Sequence, residues 1–278
     1  MSLKKNIIIT GKGSYIGTSV KNYLLRNPDN YFVEELETKG LIPSPRLFYG
    51  YDVVFHVAGI AHIKETKKNK HLYYEVNRDL TVKIAEAAKA AGVKQFIVLS
   101  TMNVYGLLTG HINKDTEPKP ISAYGDSKLQ ADIEISKLSD NSFNVAVLRP
   151  PMVYGKDCKG NYQKLRCFAL KSPIFPKYKN TRSMIYIGNL CEFVKRLIDN
   201  CSSGLFFPQN KEYVCTSEMV LHIARFHNKR VLLFCIFNPF IKMIRISVIN
   251  KVFGNLTYEK IDTVDKYSFE ESIQLCEE

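Results

Sequence analysis

The feature that most restricts the fold of this chain is its opening. A short β-branched run, Asn6 to Thr10, ends in glycine and gives way at once to a helical pattern. An apolar run of that length bounded by a turn reads as a buried strand. Tyr15 to Arg26 carries Ile16, Val20 and Leu24 at spacings of four, one face of a helix, and Asn27-Pro28 stops it. The rhythm then repeats. Tyr31 to Leu36 is a weaker strand, and Asp52 to Val57 is an apolar strand ending at Ala58-Gly59. Leu80, Ile84, Ala88 and Ala91 line a helix closed by Gly92, and Val93 to Ser100 is a strong strand. Ala123 to Leu138 reads as a helix and Asn144 to Leu148 as a strand. Such alternation predicts an α/β fold, a Rossmann-type doubly wound parallel sheet with helices on both faces.

After Pro150 the pattern loosens. Tyr154 to Ser183 reads as loop-rich, Asn189 to Ile198 as a helix and Gly204 to Phe207 as a strand. Thr216 or Ser217 is placed to cap a helix from Glu218 to Phe226. The expected organisation is a dinucleotide-binding domain over 1–155, with 185–210 returning to it. A small C-terminal α/β substrate domain is expected from 156–184 and 211–278, interleaved with the sheet.

Composition narrows the class. The 278 residues are 45% hydrophobic and 24% charged, so a packed core is expected. The net charge of +12 suits an anionic small-molecule substrate. The lysines are scattered apart from Lys64, Lys67, Lys68 and Lys70, which read as a solvated face, so no nucleic-acid partner is expected. Seven widely spaced cysteines without a C-x-x-C pair point to reduced thiols and a cytoplasmic setting. No signal peptide is expected, since Ile7 to Thr10 is short and runs into a glycine turn, and no membrane span, since the nearest candidate, Val231 to Ile241, is short and broken by Asn238-Pro239. That segment reads as a buried strand or helix, with a membrane-surface patch as the weaker alternative.

The turn Thr10-Gly11-Lys12-Gly13-Ser14-Tyr15-Ile16-Gly17 joins strand to helix. Glycines there allow close approach of a pyrophosphate, and the helix N-terminus offers N–H groups and a positive dipole end. The spacing resembles the T-G-x-x-G-x-x-G turn of short-chain dehydrogenases, with Gly11 and Gly17 in the outer positions. Ser14 stands at the middle position, with Gly13 one place earlier. An acidic residue near the end of the second strand would hold the adenosine ribose of NAD; Glu37 is the first candidate and Glu35 the second. Lys39 close by would suit a 2′-phosphate, which leaves NADP open.

Tyr124-Gly125-Asp126-Ser127-Lys128 is a Y-x-x-x-K segment on a predicted helix, so phenol and ammonium share one face. A neighbouring cation favours phenolate and proton transfer. The strand before it ends in Ser100-Thr101-Met102-Asn103-Val104-Tyr105-Gly106, which places a hydroxyl in the crevice where open α/β sheets bind ligands.

Together these segments resemble the extended short-chain dehydrogenase/reductases of the NAD-dependent epimerase/dehydratase family over residues 5 to 220. Asp52 to Gly59, Asn77 with its helix, Ser100 to Gly106, Tyr124 to Lys128 and Arg149 to Gly155 carry the likeness. The resemblance implies a nucleotide-sugar substrate and an NAD cofactor. Thr101, Tyr124 and Lys128 would be the catalytic set, with Tyr124 as acid/base and Lys128 lowering its pKa while binding nicotinamide ribose. Gly11, Gly13, Ser14, Tyr15, Ile16, Gly17, Glu37, Val57, Ala58, Gly59, Asn77 and Ser100 would line the cofactor. Arg182 would clamp a phosphate, with Asn103, Asn161 and Lys164 as further substrate contacts. Met152 stands where family members often carry an asparagine against the diphosphate. A homodimer through helices flanking the Y-x-x-x-K segment is implied as well.

Within the family, short sugar epimerases and reductases of surface-polysaccharide biosynthesis are the nearest in character. The expected reaction is 4-epimerisation of a UDP-sugar, with 4-keto-sugar reduction or a non-catalytic NAD(P)-binding sensor as alternatives. Met102 and Asn103 stand where dehydratases of the family carry an acidic residue, which disfavours dehydration. His56 reads as a packed residue, and His62 as a solvated loop residue with substrate in reach. His222 and His227 are wrongly spaced for zinc, and no metal is expected.

Overall fold

A computed structural model describes residues 4–61, 63–238 and 247–278; His62 and the end of the Val231–Ile241 segment lie outside the described residues. The elements run β1 (Lys5–Thr10), α1 (Tyr15–Leu24), β2 (Tyr31–Leu36), β3 (Val53–His56), α2 (Lys70–Tyr74), α3 (Leu80–Ala90) and β4 (Gln95–Leu99). Then come β5 (Gly110–Ile112), α4 (Ala123–Ser136), β6 (Asn144–Leu148), β7 (Met152–Tyr154), α5 (Asn161–Lys171), β8 (Ile174–Pro176) and β9 (Met184–Tyr186). α6 (Ile187–Asn200), β10 (Gly204–Phe206), β11 (Gln209–Asn210), α7 (Thr216–Phe226) and β12 (Leu232–Phe234) follow. Helices Ser247–Phe253 and Phe269–Glu277 and strands Leu256–Tyr258 and Thr263–Val264 complete the chain.

The chain divides into two compact units. The first is Met1–Gly106, Glu117–Pro150 and Cys191–Pro208; the second is Leu107–Thr116, Pro151–Leu190 and Gln209–Glu278. The excursion Leu107–Thr116 carries no sequence signal of its membership in the second unit.

The first unit holds a six-stranded sheet in the order β10-β6-β4-β3-β1-β2, every pair parallel. Strand order reverses at β1, which lies between β2 and β3, so a ligand crevice is expected beyond the carboxyl ends of β1 and β3. On one face Ile8, Val54, Phe96, Val98, Val145 and Val147 pack against Ile84, Ala85 and Ala88 of α3 and Ile135 of α4. The alternate residues Ile7, Ile9, Phe55, Ile97 and Ala146 are fully buried too. Both faces are therefore covered, which is why these strands read as continuous apolar runs.

The second unit is built from four two-stranded ribbons and helices. Two expectations fail here. The stretch read as loop-rich contains α5, whose buried Tyr162, Leu165 and Ala169 follow helical spacing beneath a polar and basic exterior. Helix α7 starts at Thr216 itself, with Cys215 before it and no side-chain cap. The Thr216 hydroxyl donates to Val252 O (2.7 Å) and that of Ser217 to Pro176 O (2.8 Å), so neither caps the helix.

Candidate active site

The glycine turn is shaped by its neighbours. Gly11 has φ +97°, and a Cβ there would stand 2.9 Å from the backbone nitrogen of Ala58. Gly13 has φ +72° in open space, so its requirement is conformational. A Cβ on Gly17 would meet Ser14 Oγ at 2.6 Å and Val57 at 3.0 Å. Ser14 caps α1, its hydroxyl accepting from Gly17 N at 3.2 Å, which accounts for a serine at the middle position. Tyr15 and Ile16 open the helix, at the positive end of its dipole.

Glu35, the second ribose candidate, is committed elsewhere. Its carboxylate accepts from Lys21 Nζ (2.8 Å), Gly13 N (3.2 Å) and Thr18 Oγ1 (3.3 Å), and the Lys21 bond holds its pKa below the usual range. It braces the turn from β2. Glu37 instead borders a cavity of about 1000 Å³ with Lys39, Gly59, Glu75, Asp79, Lys83 and Glu86. Its carboxylate accepts from Lys39 N (2.9 Å) and Thr38 N (2.8 Å), which lowers its pKa.

Gly59 stands where three elements converge. A Cβ there would lie 2.9 Å from Asn77 Oδ1 and 3.2 Å from Lys128 Nζ. Asn77 sits in a π turn, Glu75–Asp79, between α2 and α3, a widening common at functional sites. Fully buried, it accepts from Ile60 N (2.8 Å) and donates to Ile60 O (3.1 Å) and Ser127 Oγ (3.2 Å). The loop after β3 is thus tied to α4.

His56 is buried and neutral, its pKa pushed down to about 3 by burial and then by the charge of Lys128. Its tautomer follows from the hydrogen bonds. Thr81 gives its proton to Asn77 O (2.9 Å), so it accepts from His56 Nε2–H (2.9 Å), and Nδ1 accepts from Thr10 Oγ1 (2.6 Å).

Thr101, Tyr124 and Lys128 all lie in the first unit. Thr101 is buried at the end of β4; its hydroxyl caps the turn Met102–Tyr105 by accepting from Asn103 N (3.2 Å) and hydrogen-bonds the Tyr124 phenol. Gly125 makes this approach possible, since a Cβ there would strike Asn103 O at 2.6 Å. Two caps fix the start of α4: Ser122 Oγ accepts from Gly125 N (3.1 Å) and Glu65 from Ala123 N (2.9 Å). The Asn103 side chain is exposed beside this turn.

The electrostatics differ from expectation. The Tyr124 pKa is raised, foremost by burial, with the Thr101 hydrogen bond opposing. Lys128 stands one helical turn further along α4. Its ammonium donates to Leu99 O at 3.0 Å, and burial brings its own pKa down to about 8. Ser100, expected against the cofactor, donates its hydroxyl to Asp132 Oδ2 (2.7 Å), which also accepts from Arg149 Nε (3.0 Å). Arg149 reaches on to Tyr105 OH (2.9 Å). This buried network, with Asp132 one helical turn beyond Lys128, has no local sequence signal because its members come from four elements.

The remaining expected contacts lie in the second unit. Arg182 donates through Nη1 to Gly254 O (2.7 Å) and Asn250 O (3.2 Å), at the C-terminal end of helix Ser247–Phe253. Burial lowers its pKa. Asn250 and Gly254 border a cavity of about 430 Å³ with Thr109, Tyr178 and Asn255. Asn161 and Lys164 lie exposed on the first turn of α5, not on the loop expected for them. Met152 pairs with Met184 in the β7–β9 ribbon.

Among the described residues no group of His, Cys, Asp and Glu could hold a metal, and no helix is long and apolar enough to cross a membrane.

Proteins of known activity resemble this chain in sequence and in fold. Over 249 residues the chain is 28% identical to UDP-glucose 4-epimerase of Vibrio cholerae, covering 80% of this chain and 76% of that one. It is 25% identical over 248 residues to N-acetyl-α-D-glucosaminyl-diphospho-ditrans,octacis-undecaprenol 4-epimerase of Escherichia coli O157:H7, covering 82% and 74%. The fold matches UDP-glucuronic acid 4-epimerase from Bacillus cereus, solved with NAD, at a TM-score of 0.76 and 20% identity over 98% of this chain and 95% of that one. Residues 45–213, which include β3, Asn77, Thr101, Tyr124, Lys128 and Arg182, match a single family, and the chain belongs to it: the NAD dependent epimerase/dehydratase family.

Proposed function

We propose that this chain is an NAD-dependent 4-epimerase of a nucleotide-linked sugar, a UDP-sugar, serving surface polysaccharide synthesis in the cytoplasm. The observation that carries the reading is the convergence of Tyr124, hydrogen-bonded by Thr101, and Lys128, beside Gly59, at the carboxyl ends of β3 and β4. The residues present fit the cofactor. Gly11 and Gly59 keep free the space a Cβ would fill, and the adjoining cavity has the size for an adenosine half. Four carboxylates border it, Glu37, Glu75, Asp79 and Glu86, against Lys39 and Lys83, which favours NAD over the extra phosphate of NADP.

NAD, when bound, takes up and gives back a hydride. Tyr124 takes the proton of the sugar C4 hydroxyl and later returns it, Thr101 aims the phenol through its hydrogen bond, and Lys128 offers its ammonium to the nicotinamide ribose. Arg182 is the candidate phosphate clamp of the second unit, with Asn103, Asn161 and Lys164 as further substrate contacts. The relatives support the reaction class: the V. cholerae protein is named for UDP-glucose, the E. coli protein for a sugar on a polyprenyl diphosphate.

The test is to incubate purified protein with UDP-glucose and UDP-N-acetylglucosamine without added coenzyme and follow the C4 epimer by NMR. Conversion under those conditions is the expected result. Turnover of a 4-keto sugar only with stoichiometric NADH or NADPH would make it a reductase instead. Unchanged conversion by Tyr124→Phe would overturn the assignment.

A further inference from the structure

The β8–β12 ribbon of the second unit has an unusual outer face. Its register pairs Ile174 with Leu232, Phe175 with Leu233 and Pro176 with Phe234. Alternation puts Ile174, Pro176, Leu232 and Phe234 on one side and Phe175 and Leu233 on the other. The second side is the inner one: Phe175 is buried, its ring 5.8 Å from that of Phe253. The first side is open, with Leu232 60%, Ile174 43% and Phe234 43% exposed. Ile236, just past the ribbon, is 71% exposed, and Phe168 on α5, whose ring lies 6.3 Å from Phe175, is 57% exposed. A sheet face turned to water ordinarily carries polar residues, so a contiguous apolar one marks a contact surface.

The two stretches of chain that build this face carry charge of one sign, with exposed Glu218 standing just before the second. Neither Cys158–Cys191 nor Met219–Tyr258 contains a single aspartate or glutamate. Lys171, Lys177, Lys179, Lys229 and Arg230, all exposed, flank the apolar residues in these two stretches. Glu277, the carboxylate that pairs with Arg166 and His227 of these stretches, is itself buried. A protein partner, or a second copy of this chain, would bring carboxylates spaced to match individual cations. A bilayer rich in anionic lipid asks only for apolar side chains ringed by cations.

We propose that the outward face of the β8–β12 ribbon is a docking surface for an anionic lipid bilayer, on which the protein lies without spanning it. This inference stands on the surface of the second unit and does not depend on the chemistry proposed above.

The test is co-sedimentation with vesicles of phosphatidylglycerol and phosphatidylethanolamine, with pure phosphatidylcholine vesicles as control. The protein is expected to pellet with the anionic vesicles only, and less as salt rises. Leu232→Ser/Ile236→Ser should reduce the bound fraction, and Lys229→Glu/Arg230→Glu should lower the partition coefficient about tenfold or more, with unchanged melting temperatures. Wild-type protein that stays in the supernatant with anionic vesicles would overturn the proposal, as would both double variants pelleting like wild type. Light scattering that showed Leu232→Ser/Ile236→Ser converting a dimer to a monomer would assign the face to a second copy instead.

Discussion

Asn77 Oδ1 lies 2.9 Å from the point where a Cβ on Gly59 would stand, and the Lys128 ammonium lies 3.2 Å from the same point. One glycine therefore holds open the junction of the β3 loop, the π turn and α4. In Gly59→Ala the added methyl must displace Asn77 from Ile60 or Lys128 from Leu99. Losing one such buried hydrogen bond costs about 1–3 kcal/mol of stability, and NAD affinity is expected to fall because the displaced side chains enter the space beside Gly59. Isothermal titration calorimetry with NAD measures it, and an unchanged far-ultraviolet circular dichroism spectrum would show that the sheet persists. Affinity equal to wild type would remove Gly59 from the cofactor site.

Tyr124 and Thr101 should separate in their kinetics. Tyr124→Phe removes the proton carrier and is expected to lower kcat by roughly 10²–10⁴, with NAD binding retained. Thr101→Val removes the hydrogen bond that opposes the burial-raised pKa of the phenol. Its rate is expected to need higher pH, the rising limb of the rate–pH profile moving upward, and Thr101→Ser should restore it. A Thr101→Val profile superimposable on wild type would show that the hydroxyl does not tune the phenol.

The parts legible in the sequence are those whose signal is local. Glycines at 11, 13 and 17 after an apolar strand, and a phenol and an ammonium four residues apart, announce themselves through backbone geometry and helical periodicity. Continuous apolar strands announce a sheet covered on both faces. What escaped depends on distant partners. The Ser100 hydroxyl is engaged by Asp132, 32 positions away on α4 and 2.7 Å off. Glu35 braces the glycine turn because β2 runs beside β1 with Glu35 opposite Ile9. Helix α5 was hidden because exposed Phe168, Lys164 and Lys171 blur the stripe of Tyr162, Leu165 and Ala169.

Lys128 gives a pH prediction for binding. Burial sets its pKa at about 8, so the ammonium is complete below that value and lost as pH rises through it. If the ammonium holds nicotinamide ribose, NAD affinity should be constant up to about pH 8 and fall up to about tenfold per unit above it. Lys128→Arg keeps its charge throughout this range and should flatten the decline, whatever its absolute affinity. Titrations at pH 7, 8 and 9 decide; a flat wild-type profile would place the cofactor away from Lys128.

His56 gives a pH prediction for stability. Its folded pKa of about 3 lies below the unfolded value of about 6.5, so between those limits the unfolded chain binds the extra proton. Its contribution is therefore complete above about pH 6.5 and is lost as pH falls toward 3. The expected loss is roughly 3 kcal/mol between pH 7 and pH 4. Other groups titrate in the same window, among them buried Asp132, whose pKa is raised by burial. The informative quantity is thus the difference between wild type and His56→Gln in urea unfolding at each pH. A glutamine side chain has no proton to gain in this range. The variant should therefore be less stable than wild type at pH 7, because the bonds to Thr10 and Thr81 are disturbed, and should close the gap as the pH drops. A gap that stays constant from pH 7 to pH 4 would show that His56 is not held neutral by its burial and that the Thr10–His56–Thr81 chain tolerates the imidazolium.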